Sequence, residues 1–386
     1  MTTRSTELLR LAHTRPGVTR ADAARLLGLG TGAATEIVSR LAHASLLAEA
    51  PAPPSGGRGR PTTALIAHPT GPLVLAVAIT HEDWRIDVVE LGGATLTSVA
   101  APHTSPDWAA VSASVTAAAS SLRLAYGERL RAMGLSVPGT VSPDLRLDAS
   151  GLGWHDVDLT ALLLADASSG PHLMARGDAS LGPLLVARND ASLAAAAESA
   201  RGAAVGATVA LHLRIEAGLG GAVVDHGRVL TGARGAGGEF GHMPFGDPAV
   251  TCPCGAQGCW GTAVDGTAMA RLLGRPAPPD PVTYARRLIS STQPAEQAAV
   301  RAVAATLGRG IAGLVNGLDA DLVTLGGLGA DLLAAAPAEI ATAYRAGLMR
   351  VHRPAPPPLL QAALGDDGPI TGAGEEAWSL LLPWLT

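Results

Sequence analysis

The three cysteines of this chain, Cys252, Cys254 and Cys259, fall within eight residues, and with His242 they make the spacing H-x9-C-x-C-x4-C. Three thiolates and one imidazole complete a tetrahedral Zn2+ shell. Gly255 and Gly258 let the backbone wrap tightly between the ligands. Such a shell keeps no open position for water, so the ion's expected role is structural: it would pin the loop after Gly241. The other reading is three unrelated buried cysteines, and their shared loop argues against it. An odd number in one tight cluster also argues against a disulfide framework and for a reducing compartment, so the expected location is the cytoplasm.

With 386 residues, the chain is long for one core and implies two or three folding units. Apolar residues make up 47% and aromatics 3%, which suits helices and α/β sheets better than an all-β sandwich. Every basic side chain is arginine, a mark of coding bias rather than of function. Net charge is −5, which excludes a bulk polyanion binder, but residues 1–62 hold eight arginines against four acids. A basic end on an acidic body points to a local nucleic-acid contact. The opening segment has no apolar core of signal-peptide length, and no run approaches the ~18 apolar residues of a membrane span, so no membrane partner is expected.

Residues 1–50 are rich in helix formers, and 51–61 read as a Pro/Gly linker. From Gly71 onward, strand and helix signals alternate. Leu73–Ile79 is a buried-strand run, and Trp84–Leu91 alternates into Gly92-Gly93. The spacing predicts a helix over 109–130 and a strand at Met133–Val137 ending in Pro138-Gly139. A strand at Leu184–Ala187 precedes a helix at Ser192–Ser199. Thr208–Ile215 and Ala222–Asp225 form a hairpin, Ala298–Leu318 a long helix, and Asp321–Leu325 a strand closed by Gly326-Gly327. Two similar halves of this kind imply an α/β, two-lobed protein with a cleft.

In the N-terminal segment, Thr19 reads as a helix cap with Asp22 completing a capping box. Gly28-Leu29-Gly30 makes a turn. Thr31 is then expected to cap a second helix through Leu41, with Ala34, Ile37, Val38 and Leu41 at helical spacing. Two short helices joined by a glycine turn make a helix-turn-helix, and Leu46-Leu47 begins a wing strand. Arg58 and Arg60, in Gly57-Arg-Gly-Arg-Pro61, suit a narrow minor groove. Arg20, Thr31, Thr35, Ser39 and Arg40 are the expected contacts to the major groove or its phosphates. The bland alternative is a helical module with a basic linker.

The segment Gly237-Gly-Glu-Phe-Gly-His242 followed by Cys252-Pro-Cys-Gly-Ala-Gln-Gly-Cys259 resembles the signature of the ROK family, repressors and sugar kinases that share one fold. Ser136–Gly139, Trp154 with Asp156, Asn189-Asp190-Ala191, Gly218–Gly221 and Gly326-Gly327 agree in order and distance. The N-terminal reader looks like that of the repressor branch. The resemblance implies an N-terminal winged helix-turn-helix at 1–66, followed by an actin-like sugar-kinase body. Its first lobe would span 71–188 and be completed by a C-terminal helix at 369–386; its second would span 189–368 and carry the zinc loop. It implies a ligand site of Gly139, Asn189, Asp190, Glu239 and His242, in which Asn189, Asp190 and Glu239 bind sugar hydroxyls. In a kinase, Asp190 would be the general base. Taken alone, Asn189-Asp190 also reads as a strand-to-helix cap.

Three departures from the family pattern bear on activity. The phosphate turn D-x-G-G-T is replaced by Ala78-Ile-Thr-His-Glu-Asp83, and G-T-G-x-G by Glu216-Ala-Gly-Leu-Gly220. Lost glycines and added acids oppose phosphate binding. Gly261 stands where the family carries a sugar-binding Glu, next to Trp260, which is either a stacking platform or core packing. The expectation is therefore no enzyme but a regulator, by family analogy a repressor of carbohydrate metabolism. It would bind a palindromic double-stranded operator as a homodimer or homotetramer and answer to a sugar or sugar-phosphate effector. The alternatives are an ATP-dependent sugar kinase with a regulatory head, and a ligand-free DNA-binding protein.

Overall fold

The computed structural model describes residues 3–51, 63–162, 184–216 and 218–386. The chain opens with three helices, α1 (Arg4–Thr14), α2 (Arg20–Leu26) and α3 (Thr31–His43). The Thr19 hydroxyl accepts the Asp22 N–H at 3.1 Å, the cap half of the expected box, while the Asp22 carboxylate accepts the Thr19 hydroxyl at 2.8 Å. Gly28, at φ +62°, breaks the chain between α2 and α3. Thr31 is the first residue of α3 and not its cap; Gly30 holds the cap position without a side-chain bond. Ala34, Ile37, Val38 and Leu41 are buried along one stripe, as 3.6-residue spacing requires. Strands β1 (Leu47–Pro51) and β2 (Thr63–Ala67) then pair antiparallel, from Leu47 opposite Ala67 to Pro51 opposite Thr63. Arg58 and Arg60, between them, lie outside the described residues.

The body contains two five-stranded sheets. The first takes β3 (Leu73–Ile79), β4 (Asp83–Glu90), β5 (Thr95–Pro102), β6 (Leu130–Val137) and, further on, β10 (Leu184–Asn189), in the order β10-β6-β3-β4-β5. Helix α4 (Trp108–Tyr126) crosses from β5 to β6. It ends four residues sooner than its periodicity predicts, because Gly127 turns at φ +58° and Leu130 already begins β6. Between β6 and β10 lies a small sheet of β7 (Thr140–Val141), β8 (Arg146–Ala149) and β9 (Trp154–Asp158). Helix α5 (Asp190–Arg201) leaves directly from the end of β10.

The second sheet has the order β13-β12-β11-β14-β15, from β11 (Val209–Ile215), β12 (Leu219–Asp225), β13 (Arg228–Val229), β14 (Leu322–Gly327) and β15 (Leu359–Gln361). On one face, Leu211, Leu213 and Ile215 pack against α6 (Gly266–Leu272), α7 (Pro281–Ile289), α8 (Pro294–Leu318), α9 (Leu328–Ala335) and α10 (Pro337–Gly347). α8 has the length and composition of a membrane span, closer to one than the sequence reading allows. Here it is a core helix, with Val303, Leu307, Ile311 and Val315 all buried among these elements. The last helix, α11 (Gly368–Leu381), returns to pack on α5, β3 and β6.

The N-terminal helices are not a separate globule. Leu8, Leu9 and Ala12 of α1 share one core with Val74 and Ala76 of β3 and with Trp378, Leu381 and Leu382. α5 and α11 meet backbone to backbone: a Cβ on Gly372 would lie 1.9 Å from the Leu193 carbonyl oxygen. Gly372→Ala is expected to destabilise the fold by about 1–3 kcal/mol or more, since neither helix can retreat without opening the core. Urea denaturation measures this, and an unchanged midpoint would count against the close crossing.

Candidate functional site

The polar site begins where β10 runs into α5. Asn189 caps α5, its carbonyl oxygen accepting the Ala191 N–H at 2.9 Å and the Ser192 N–H at 3.3 Å. Its amide nitrogen donates to the Gly139 carbonyl at 3.1 Å. Gly139 sits at φ +107°, and a Cβ there would reach 2.4 Å from the Asp148 carbonyl oxygen, so the β6–β7 turn requires glycine. Both ends of the Asn189 amide are thus taken by the protein, and the helix-cap reading of this pair describes Asn189 well. Asp190 spends one oxygen on the Ala191 N–H at 2.8 Å. Burial pushes its carboxyl above the ordinary range, opposed by the nearby Arg214, by the Ala191 N–H and by His81.

Glu239 stands on the opposite side, accepting the Thr140 hydroxyl at 3.2 Å, and its carboxylate lies 3.8 Å from His242 Nε2. Gly139, Asn189, Asp190, Glu239 and His242 therefore converge. Sequence reasoning missed Thr140, His81 and Arg214. Arg214 had a signal: it is the one charged residue in the buried strand β11.

The other nitrogen of His242, Nδ1, faces Cys252 Sγ at 3.8 Å, and Cys254 Sγ lies 3.7 Å from Cys259 Sγ. All four ligand atoms fall within 4.8 Å of one another. Two thiolates ~2.3 Å from a tetrahedral centre are about 3.8 Å apart, so the cluster could hold a metal ion. Gly255 at φ +90° and Gly258 at φ +72° make the knuckle. The Ala256 backbone N–H draws the Cys254 thiol down to about 7, while burial pushes Cys259 up to about 12. Glu239 faces the free edge of the candidate ligand His242, the relation by which an outer carboxylate orients a metal-bound imidazole.

Trp260 is fully buried. Its ring packs edge-on to Phe245 at 5.8 Å and fills the space over Gly310 of α8, where a Cβ would come within 2.2 Å. It is core and presents no stacking face. Gly261 leaves its side of the cleft without a carboxylate.

The first of the two turns expected to repel phosphate is closed on itself. The Thr80 hydroxyl accepts the Glu82 and Asp83 N–H groups at 3.2 and 3.1 Å and donates to the Asp83 carboxylate at 2.7 Å. Those N–H groups are spent internally. At the second turn the Glu216 carboxylate takes the Arg214 guanidinium, which also donates to the Gly365 carbonyl at 3.2 Å. Arg214, the cation that acts most on Asp190, is already paired with Glu216.

On α3, Thr31, Thr35, Ser39 and Arg40 are exposed, and so is Glu36, which the sequence reading passed over. The Thr35 hydroxyl donates to the Thr31 carbonyl at 2.9 Å. Arg40 turns back to donate to Ser5 at 3.0 Å, and Arg20 lies 3.4 Å from Glu49.

This fold, two five-stranded sheets with their helices and a Cys3His loop, is sugar-kinase-like. The chain belongs to the ROK family, whose model matches residues 75–377. A solved ROK family transcriptional regulator, described as a homolog of the E. coli MLC protein, is 21% identical with a TM-score of 0.76, over 99% of this chain and 96% of its own. The ROK hexokinase of Thermus thermophilus is 28% identical with a TM-score of 0.63, over 80% and 99%. The glucokinase of Thermotoga maritima is 28% identical over 155 residues, 39% of this chain and 44% of its own length. The chain spans about half the length of the curated relatives it matches.

Purified protein is expected to carry one equivalent of a thiophilic divalent ion by elemental mass spectrometry. Cys252→Ala should lose it and melt several degrees lower. Full metal content in that variant would remove the cluster as a metal centre.

Proposed function

We propose that this ROK protein is a DNA-binding transcription regulator, a repressor of carbohydrate genes, controlled by a sugar in the cleft between its sheets. The observation that carries the reading is the three-helix, two-strand module at 4–67 built into the ROK body, together with full-length likeness to a ROK regulator. The module is a winged helix-turn-helix with α3 as its recognition helix. Thr31, Thr35 and Ser39 lie open for base or phosphate contacts. Glu36 is placed to accept from a cytosine amino group. Arg20 and Arg40 would leave Glu49 and Ser5 to reach phosphates, and Arg58 and Arg60 would follow the minor groove beyond the wing. A homodimer or homotetramer would set two such helices on a palindromic operator, in the cytoplasm, where the thiols stay reduced.

Asp190 and Glu239 would bind vicinal hydroxyls, with Asn189 and Gly139 fixing the geometry and His242 orienting Glu239. Zinc on His242, Cys252, Cys254 and Cys259 would act as a crosslink in the loop. The two acidic turns, the first of them closed on itself, oppose ATP and favour an uncharged sugar over its phosphate, and they support a protein that is not an enzyme.

Selection from random duplexes is expected to return a palindrome, and Ser39→Ala and Glu36→Ala should each weaken binding to it about tenfold, in line with ~1–3 kcal/mol per lost base contact. Recovery of no preferred sequence would reject the DNA reading. In a melting-temperature screen a neutral sugar should stabilise the wild type and not Asp190→Ala, with Mg-ATP silent. The second reading, a sugar kinase with a DNA-binding head, is favoured by the surviving Asp190 and its free oxygen. Sugar-dependent ATP consumption that Asp190→Ala abolishes would establish it instead.

A further inference from the structure

The far end of α5 holds a buried ionic knot. Arg201 Nε donates to Glu375 of α11 at 2.6 Å, and its Nη2 donates to the His13 carbonyl of α1 at 3.1 Å. His13 Nε2 lies 3.1 Å from the second Glu375 oxygen, while its Nδ1 accepts the Gly92 N–H at 3.0 Å. Arg201 Nη2 also lies 3.3 Å from His13 Nε2, so the guanidinium and the carboxylate meet the same ring nitrogen. His13 is 3% exposed, Glu375 10% and Arg201 18% by side chain, and the His13 ring stacks at 5.4 Å from Trp378. Gly93, at φ +88°, makes room for the guanidinium: a Cβ there would lie 2.7 Å from Arg201 Cζ. The Gly92-Gly93 turn thus serves this knot as well as the β4–β5 connection.

We propose that the knot of His13, Arg201 and Glu375 is the joint through which the state of the Asp190 cleft reaches the N-terminal helices. α5 is a single helix of 12 residues with Asp190 at its start and Arg201 at its end, roughly 17 Å apart. One turn before its end it carries Glu198, 1% exposed, which accepts the Leu364 N–H at 2.8 Å and so grips the segment that returns from the second sheet to α11. A shift at the head of α5 is carried as a rigid displacement past Glu198 to Arg201. It arrives where α1 is held by directional, charge-assisted bonds as well as by apolar contacts. Glu375 also lines a cavity of about 330 Å3 with Val89, Gly93, Leu364, Ile370 and Gly374, so its carboxylate has room for a second arrangement. These are positioning residues. The direction of signalling rests on the regulator reading, whereas the mechanical link does not.

The test is a double-mutant cycle in the full chain, read by hydrogen exchange of residues 4–14. Asn189→Ala frees the head of α5 from its cap and from Gly139. It should raise α1 exchange at least threefold in the wild-type background and leave it unchanged once Arg201→Gln has cut the knot. Peptides of β11 and β14 report global loosening. Glu375→Gln replaces Arg201→Gln if that variant does not fold. An equal response in both backgrounds, or none in either, overturns the proposal. D-glucose added to the wild type, with melting temperature as readout, tests the sugar reading separately, and failure to bind leaves the outcome of the cycle intact.

Discussion

α5 and α11 cross with their backbones in contact, and almost every functional element depends on that crossing. The Leu193 carbonyl presses on Gly372, and the Ala373 carbonyl presses in turn on Gly134 in the centre of the first sheet, at positions where a Cβ would lie 1.9 Å away in each case. Small residues let the polar backbones approach, and dispersion over the large contact holds them. α5 is thereby fixed against the first sheet on one side. Ala195 beside Ala210 and Ala222 fixes it against the second sheet on the other. Packed on both sides, α5 carries Asp190 at its start and Arg201 at its end as one body.

The same crossing governs the electrostatics. Glu198 is 1% exposed, and the Leu364 and Ala203 N–H groups meet its carboxylate. Glu375 would be raised by its burial, yet His13 and Arg201 hold it below the ordinary carboxylate range. His212, next to Arg214 on β11, is driven down to about 3 by burial and stays neutral, its Nδ1 2.9 Å from the Thr324 hydroxyl. The contact between the N-terminal helices and the body is therefore set by directional bonds as well as by apolar packing.

The cleft and the metal loop share one residue in two roles. His242 faces Cys252 with one nitrogen and Glu239 with the other. Glu239 is the cap of the loop's short 3-10 turn at Phe240–His242. The Cys3His loop carries Glu239, and the Asn189 cap leads into Asp190. Between them stand Asp190 and Glu239, without the glycine-rich phosphate cradle that a nucleotide needs.

Much of this was legible in the residues alone. The Cys3His spacing, the Thr19–Asp22 cap, the β11–β12 hairpin and the acidic turns at Ala78–Asp83 and Glu216 are local features. Their geometry follows from residues a few positions apart, and no distant contact can change which atoms share a loop. Other outcomes belonged to the tertiary structure. Trp260 became core because Gly310, fifty positions on in α8, leaves space for its ring. Asn189 spends its amide on Gly139, 50 residues earlier, and His13 meets Glu375 across 362 residues. Spacing cannot announce such partnerships, because they exist only once packing has brought separate elements within hydrogen-bond range and removed the water that would otherwise compete.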